Sequence, residues 1–246
     1  MVASASWDAL GTWCEVLTVH EDDLPAVADL VRARVDALDA AFTRPDSELA
    51  GLATGRPQRI SPVLALALAA MLRAEEFAGD RTSADRQPIQ LDADSGTVTM
   101  PPGQVLDLGT SARAWAADWL VKACADDLGL GCLVNLGGDI AVRGEVPEGG
   151  WQVEIDAGPA GPQGRPVISM GWPGGLATRS ATSGAWRSVT VAARTCERAG
   201  AAGEAAVRMD DGAPRWLTQR ELPARLVHSG GVVVQTNGWP RERWIA

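Results

Sequence analysis

The chain has 246 residues, 46% of them hydrophobic, and its 31 acidic side chains outnumber 22 basic ones for a formal charge of −9. That length and apolar fraction suit one globular unit with a sizeable core, read as a single domain over residues 1–246. The acidic excess, with no run of Lys or Arg longer than a pair, sets nucleic acid and membrane surfaces aside as partners.

The opening MVASASWDALGTW lacks a basic segment followed by an apolar core, and no stretch approaches the ~18 uninterrupted apolar residues of a membrane span, so a cytoplasmic location is expected. Cys14, Cys124, Cys132 and Cys196 are scattered without a C-x-x-C pair, which reads as four buried free thiols. The ten Trp residues are spread along the chain and outline no aromatic cage.

Residues 7–18 read as a strand. Leu24, Val27, Leu30, Val31, Val35, Leu38 and Phe42 then recur at helical spacing across an amphipathic helix over 22–42. Ser61 and Pro62 offer an N-cap and a first-turn proline for an Ala-rich helix ending near Gly79. A polar stretch fills 80–87, and short strands are expected at 89–91 and 97–100 around a turn at 92–96.

A helix follows over 111–128, then strands at 133–136 and 140–143 hinged on Gly137 and Gly138, where positive φ or close backbone approach needs glycine. Strands at 151–156, 167–170, 175–178 and 188–192 surround a Gly/Pro-rich loop at 157–166. Helices at 196–209 and 213–220 precede a hairpin pairing 226–227 with 232–235. Strands interleave with helices without a strict β-α repeat, which predicts an α+β fold with a mixed, mostly antiparallel sheet flanked by helices.

Three ordered motifs stand out: D-L-G-T-S-A-R-A-W-A-A-D at 107–118, N-L-G-G-D-I at 135–140 and G-L-A-T at 175–178. With A-L-G-T at 9–12, D-S-E-L at 46–49 and S-V-T-V-A-A at 188–193, the chain resembles the FAD:protein FMN transferases, the ApbE-like flavin transferases, over nearly its whole length. The resemblance implies an ApbE-like fold whose cleft binds FAD and Mg²⁺ and which moves FMN onto a Thr or Ser of a client protein. A divalent cation suits that reaction because breaking a phosphoanhydride builds negative charge on its oxygens.

By the resemblance, Asp107, Arg113 and Asp139 are the catalytic candidates, and Asp118, Asn135, Gly137, Gly138 and Thr178 the ligand-binding ones. Arg113 stands where the family has a Lys, keeping the charge but changing a point charge into a planar fork. Plainer roles compete: Asp107 as a helix N-terminal acid, Asp118 and Arg113 as exposed helix residues.

The pattern is also interrupted. The family's His-x-x-Asp-Pro-x-x-Gly segment has no counterpart where Ala181, Thr182 and Ser183 run straight into Gly184, Ala185 and Trp186. Its Gly-Tyr-Asp stretch is missing between Phe77 and Ile89, and the chain has no tyrosine. Only His20 and His228 exist, at positions read as surface or turn. An Asp and, four residues later, a Thr that face the metal in the family fall here on Gly200 and Glu204, leaving Glu204 as the one candidate metal ligand.

Three readings follow. The FAD and Mg²⁺ transfer site is lost and the protein is repurposed as an enzyme for another small molecule, in specialised metabolism for example. Or it is a binding or scaffold protein. Or FMN transfer from FAD survives with a client protein as partner.

Overall fold

The computed structural model describes residues 2–79, 88–92, 95–103, 106, 108–155 and 165–245. Asp107, the polar 80–87 stretch, Asp156 and most of the Gly/Pro-rich loop lie outside them, as do two residues of the turn expected at 92–96.

Strands β1 (Ala3–Ala9) and β2 (Thr12–Thr18) form a hairpin across Leu10 and Gly11, whose φ values of 52 and 68° are both left-handed. One strand over 7–18 is therefore corrected to two: a two-residue turn of this kind interrupts a β-pattern without disturbing its composition. Helix α1 (Leu24–Leu38) buries Val27, Val31, Val35 and Leu38 along one stripe. After β3 (Pro57–Arg59), α2 (Pro62–Ala78) opens where Ser61 Oγ accepts from Leu64 N at 3.2 Å and closes on left-handed Gly79. Strands β4 (Gln90–Asp92) and β5 (Thr97–Thr99) precede α3 (Gly109–Ala123).

Next come β6 (Cys132–Leu136), β7 (Asp139–Arg143), β8 (Trp151–Glu154), β9 (Arg165–Met170), β10 (Gly174–Ser180) and β11 (Trp186–Ala193). Helices α4 (Cys196–Arg208) and α5 (Ala213–Gln219) and strands β12 (Ala224–His228), β13 (Val233–Gln235) and β14 (Arg243–Ile245) complete the chain.

The main sheet runs β1-β2-β6-β7-β10-β11-β12-β13, with β14-β9-β8 and β3-β5-β4 as smaller sheets. Every described ladder between strands is antiparallel. Side chains alternate across the main sheet, so each face has its own core. Val134, Leu136, Ala177, Val189 and Val191 meet Leu64, Leu68, Ala117, Leu120, Ala199 and Leu217 of the helices. Leu133, Ile140, Val142 and Leu176 meet Trp151, Ile168 and Met170 of the small sheet. The architecture is α+β as expected, with helices covering one face and strands β8 and β9 the other. All four cysteines are free and buried. Among the described residues no helix is long and apolar enough to cross a membrane.

Candidate functional site

The main sheet divides the candidate residues. Asn135 shares its face of β6 with Leu133, and Thr178 shares its face of β10 with Leu176. They line a cleft of about 540 Å³ together with Gly137, Gly138, Ile140 and side chains of the small sheet, including Gln152, Glu154 and Arg165. Glu15 also lines this cleft, and burial raises its carboxyl above the ordinary range.

Gly137 and Gly138 turn β6 into β7 with φ values of +60 and +93°. A Cβ at Gly137 would stand 2.3 Å from Thr12 Oγ1, so both torsion and space demand glycine there. Asn135 Oδ1 accepts from Gly138 N at 2.9 Å and braces the turn. Thr178 Oγ1 lies 3.0 Å from Thr190 Oγ1 on the neighbouring strand.

One residue along each strand the direction reverses. Asp139 and Arg179 point to the helix side, with side chains only 1% and 7% exposed, and Arg179 Nη1 donates to Asp139 Oδ1 at 2.6 Å. The same guanidinium donates to the carbonyl oxygens of Thr178 at 3.0 Å and Thr110 at 3.2 Å, and its Nε lies 3.5 Å from Glu204 Oε1. Glu204 in turn accepts from the Thr110 hydroxyl at the start of α3, and from Ser111 Oγ at 3.4 Å. Arg113 Nε stands 3.7 Å from Asp139 Oδ2, too far for a hydrogen bond, and both atoms are buried without a hydrogen-bond partner. Burial pulls against the charge on Arg179, but Asp139, with Glu204 behind it, outweighs that pull and holds the guanidinium protonated above its ordinary range.

Helix α4 makes the room. A Cβ at Gly200 would lie 2.5 Å from Arg179 Nη2 and 2.8 Å from Ala114 Cβ, and one at Gly203 would lie 2.9 Å from Arg179 Cγ. Beyond this pair a second cleft of about 610 Å³ is lined by Gly109, Thr110, Ser111, Arg113, Glu204 and Arg208 with apolar residues of α2. Arg113 and Glu204 thus face a different cleft from Asn135, Gly137, Gly138 and Thr178, with Asp139 buried between the two.

Asp118 lines neither cleft. Its oxygens accept from Cys196 N at 2.9 Å and Glu197 N at 2.8 Å, at the start of α4, where Thr195 Oγ1 also caps Arg198 N. Burial pushes its pKa up to about 6 against those two N–H bonds. Asp107 lies outside the described residues. His20 is exposed beside Glu145, and His228 Nδ1 accepts from Gly230 N inside a turn, as their positions predicted. Residues 181–185 form a short connection between β10 and β11, tied by Ala185 N to Asp210 Oδ1 and by Ser229 N to Ala185 O.

Arg179 was missed by sequence reasoning. The signal was there: in G-L-A-T-R it falls on the inward side of a strand, in step with Ala177, where a charge requires a buried partner.

The model of the ApbE family matches residues 70–184. No curated protein matches the chain. Among solved structures the chain is similar to the flavin transferase ApbE from Vibrio cholerae, with a TM-score of 0.77 at 14% identity, covering 97% of this chain and 98% of that one. It is similar to the flavinyl transferase ApbE of Pseudomonas stutzeri in its apo form, with a TM-score of 0.76 at 16% identity over 96% of each chain. The ApbE protein of Thermotoga maritima gives a TM-score of 0.76 at 17% identity over 96% of this chain and 97% of that one.

Proposed function

We propose, of a chain that belongs to the ApbE family through residues 70–184 and has the ApbE fold along its length, that it serves as an enzyme or binding protein for a small molecule other than FAD. The ligand occupies the cleft between strands β6, β7 and β10 and the small sheet. The observation that carries this reading is convergence: Asn135, Gly137, Gly138 and Thr178 all line one cavity of about 540 Å³. Its size falls within the range of small-molecule sites, roughly 300–1,000 Å³. Its lining is largely polar, with Glu15, Asn135, Gln152, Glu154, Arg165 and Thr178 beside apolar Leu133, Ile140 and Leu176, which suits a polar small molecule. The short β10–β11 connection and the missing Gly-Tyr-Asp stretch support a ligand other than a flavin.

A divalent cation does not fit between Asp139 and Glu204, because the Arg179 guanidinium lies against both, so no chemical step here runs through one. The chain's own residues supply binding and orientation: Thr178 and Asn135 offer hydrogen bonds, and Gly138, where an added Cβ would meet nothing within 4 Å, leaves open space beside its Cα for a ligand.

A metabolite panel screened by thermal shift in metal-free buffer tests the reading. The expected result is a saturable rise in Tm that Thr178→Trp, which fills the cleft, abolishes. Stabilisation unchanged in that variant removes the ligand from this cleft.

The second reading, FMN transfer from FAD to a client protein, is favoured by the other cleft. There the first turn of α3 at Gly109, Thr110 and Ser111 lies beside Arg113, an arrangement suited to a phosphate group. Incubation with FAD, Mg²⁺ and a client peptide, alongside a competent transferase, is expected to leave the peptide unmodified. A flavinylated peptide would establish the second reading in place of the first.

A further inference from the structure

We propose that the Arg179 guanidinium is a built-in cation, standing in the place of a divalent ion between β7, β10 and α4, so that this protein organises the site without metal. The oxygens around it are of the kind a hard cation collects: carboxylates of Asp139 and Glu204 and the carbonyls of Thr178 and Thr110, supplied by separate elements. Each lies within 3.5 Å of a guanidinium nitrogen.

Space argues the same way. Nη2 sits 2.5 Å from where a Cβ at Gly200 would be, and the Arg179 stem passes 2.9 Å from a Cβ at Gly203. No carboxylate can be carried at position 200 while this guanidinium is seated, so α4 contributes room here and Glu204 alone contributes a ligand atom.

Charge closes the argument. Asp139 and Glu204 carry two negative charges, and Arg179 and Arg113 two positive ones, within one contact network. A divalent ion added to this cluster, in which Asp139 and Arg179 are buried while Glu204 and Arg113 are each 26% exposed, would have to displace a hydrogen-bonded guanidinium. The fork also does what a metal would do structurally: it joins the end of β10 to β7 and to the first turn of α3.

The inference stands apart from the small-molecule reading, since the cluster lies across the main sheet from that ligand cleft, and metal binding is measured without any ligand. The probe is Mn²⁺ alone, titrated into the whole chain and followed by the intensity of the free hydrated Mn²⁺ resonance and by Tm. Wild-type protein is expected to leave the resonance at full intensity and to show no saturable change in Tm. Saturable loss of free Mn²⁺ to the wild type, reversed by Mg²⁺, would overturn the proposal without bearing on the ligand cleft.

The Arg179→Ala variant opens the oxygen set. It is expected to take up Mn²⁺ and to gain a saturable rise in Tm of about 5–10 °C at 100 times Kd. A folded Arg179→Ala protein that ignores Mn²⁺ would also overturn the proposal. Should that variant not fold even with Mn²⁺, the wild-type titration decides, and Arg179→Lys, which keeps a cation in place, is expected to behave like the wild type.

Discussion

Asp118 shows how a buried carboxylate can serve a helix at a cost that depends on pH. Both oxygens hold backbone N–H groups of α4, yet burial pushes its pKa up to about 6 from an ordinary 3.8. Between those values the folded chain keeps a proton that the unfolded chain releases, so stability falls as pH rises from about 4 to about 6 and stays lower above that. The size of the effect is about 3 kcal/mol, and urea unfolding across this window should show it. Asp118→Asn should flatten the curve. Arg179 behaves in the opposite sense. Arg179→Met leaves Asp139 buried with only Arg113 at 3.7 Å, and should destabilise by about 3–5 kcal/mol in chemical denaturation. At this scale the sequence was partly legible. The turn at Gly137 and Gly138 was readable because motif spacing and glycine torsions are local properties. Arg179 carried a strand-alternation signal that went unused, whereas the non-polar surroundings of Asp118 were not legible, because burial depends on what packs across the sheet.

Helix α4 is the element on which the buried cluster depends. Its Gly200 and Gly203 would be poor choices on helix propensity alone, each costing up to about 1 kcal/mol relative to Ala. The guanidinium explains them: Gly200→Ala gains propensity but sets a methyl group 2.5 Å from Nη2, and should be net destabilising by about 1–3 kcal/mol, measured as a lower urea midpoint at unchanged slope. At the start of α2, Ser61 Oγ both caps Leu64 N and donates to Glu48 Oε2 at 2.5 Å. Ser61→Ala should cost about 1 kcal/mol. Helices were the legible elements, since α1, α2 and α4 carry caps or an apolar stripe long enough to read. The first hairpin, β3 and β14 were not, because a two-residue turn and three-residue edge strands leave almost no periodic signal.

At the scale of the molecule, two cores on opposite faces of one eight-stranded sheet mean that the two clefts have separate supports. Trp151, 1% exposed, anchors the small sheet against Leu133, Ile140 and Leu176. Trp151→Ala should destabilise by about 3–5 kcal/mol and loosen ligand binding beside Thr178, while leaving the Asp139 and Arg179 pair in place. Denaturation together with the ligand thermal shift would separate those effects. The α+β class and family fold were legible from the order of motifs along the chain. The partition of the candidates between two faces was not, because it follows from strand register and from which layer covers each face.

Gly200 and Arg179 also constrain the history open to this chain. An acidic side chain at position 200 collides with the guanidinium as long as Arg179 is present, while removing Arg179 first strands a buried Asp139. Either single step is penalised before the other can compensate. The pair therefore acts as a ratchet, and an acidic side chain at position 200 becomes accessible only when both residues change together.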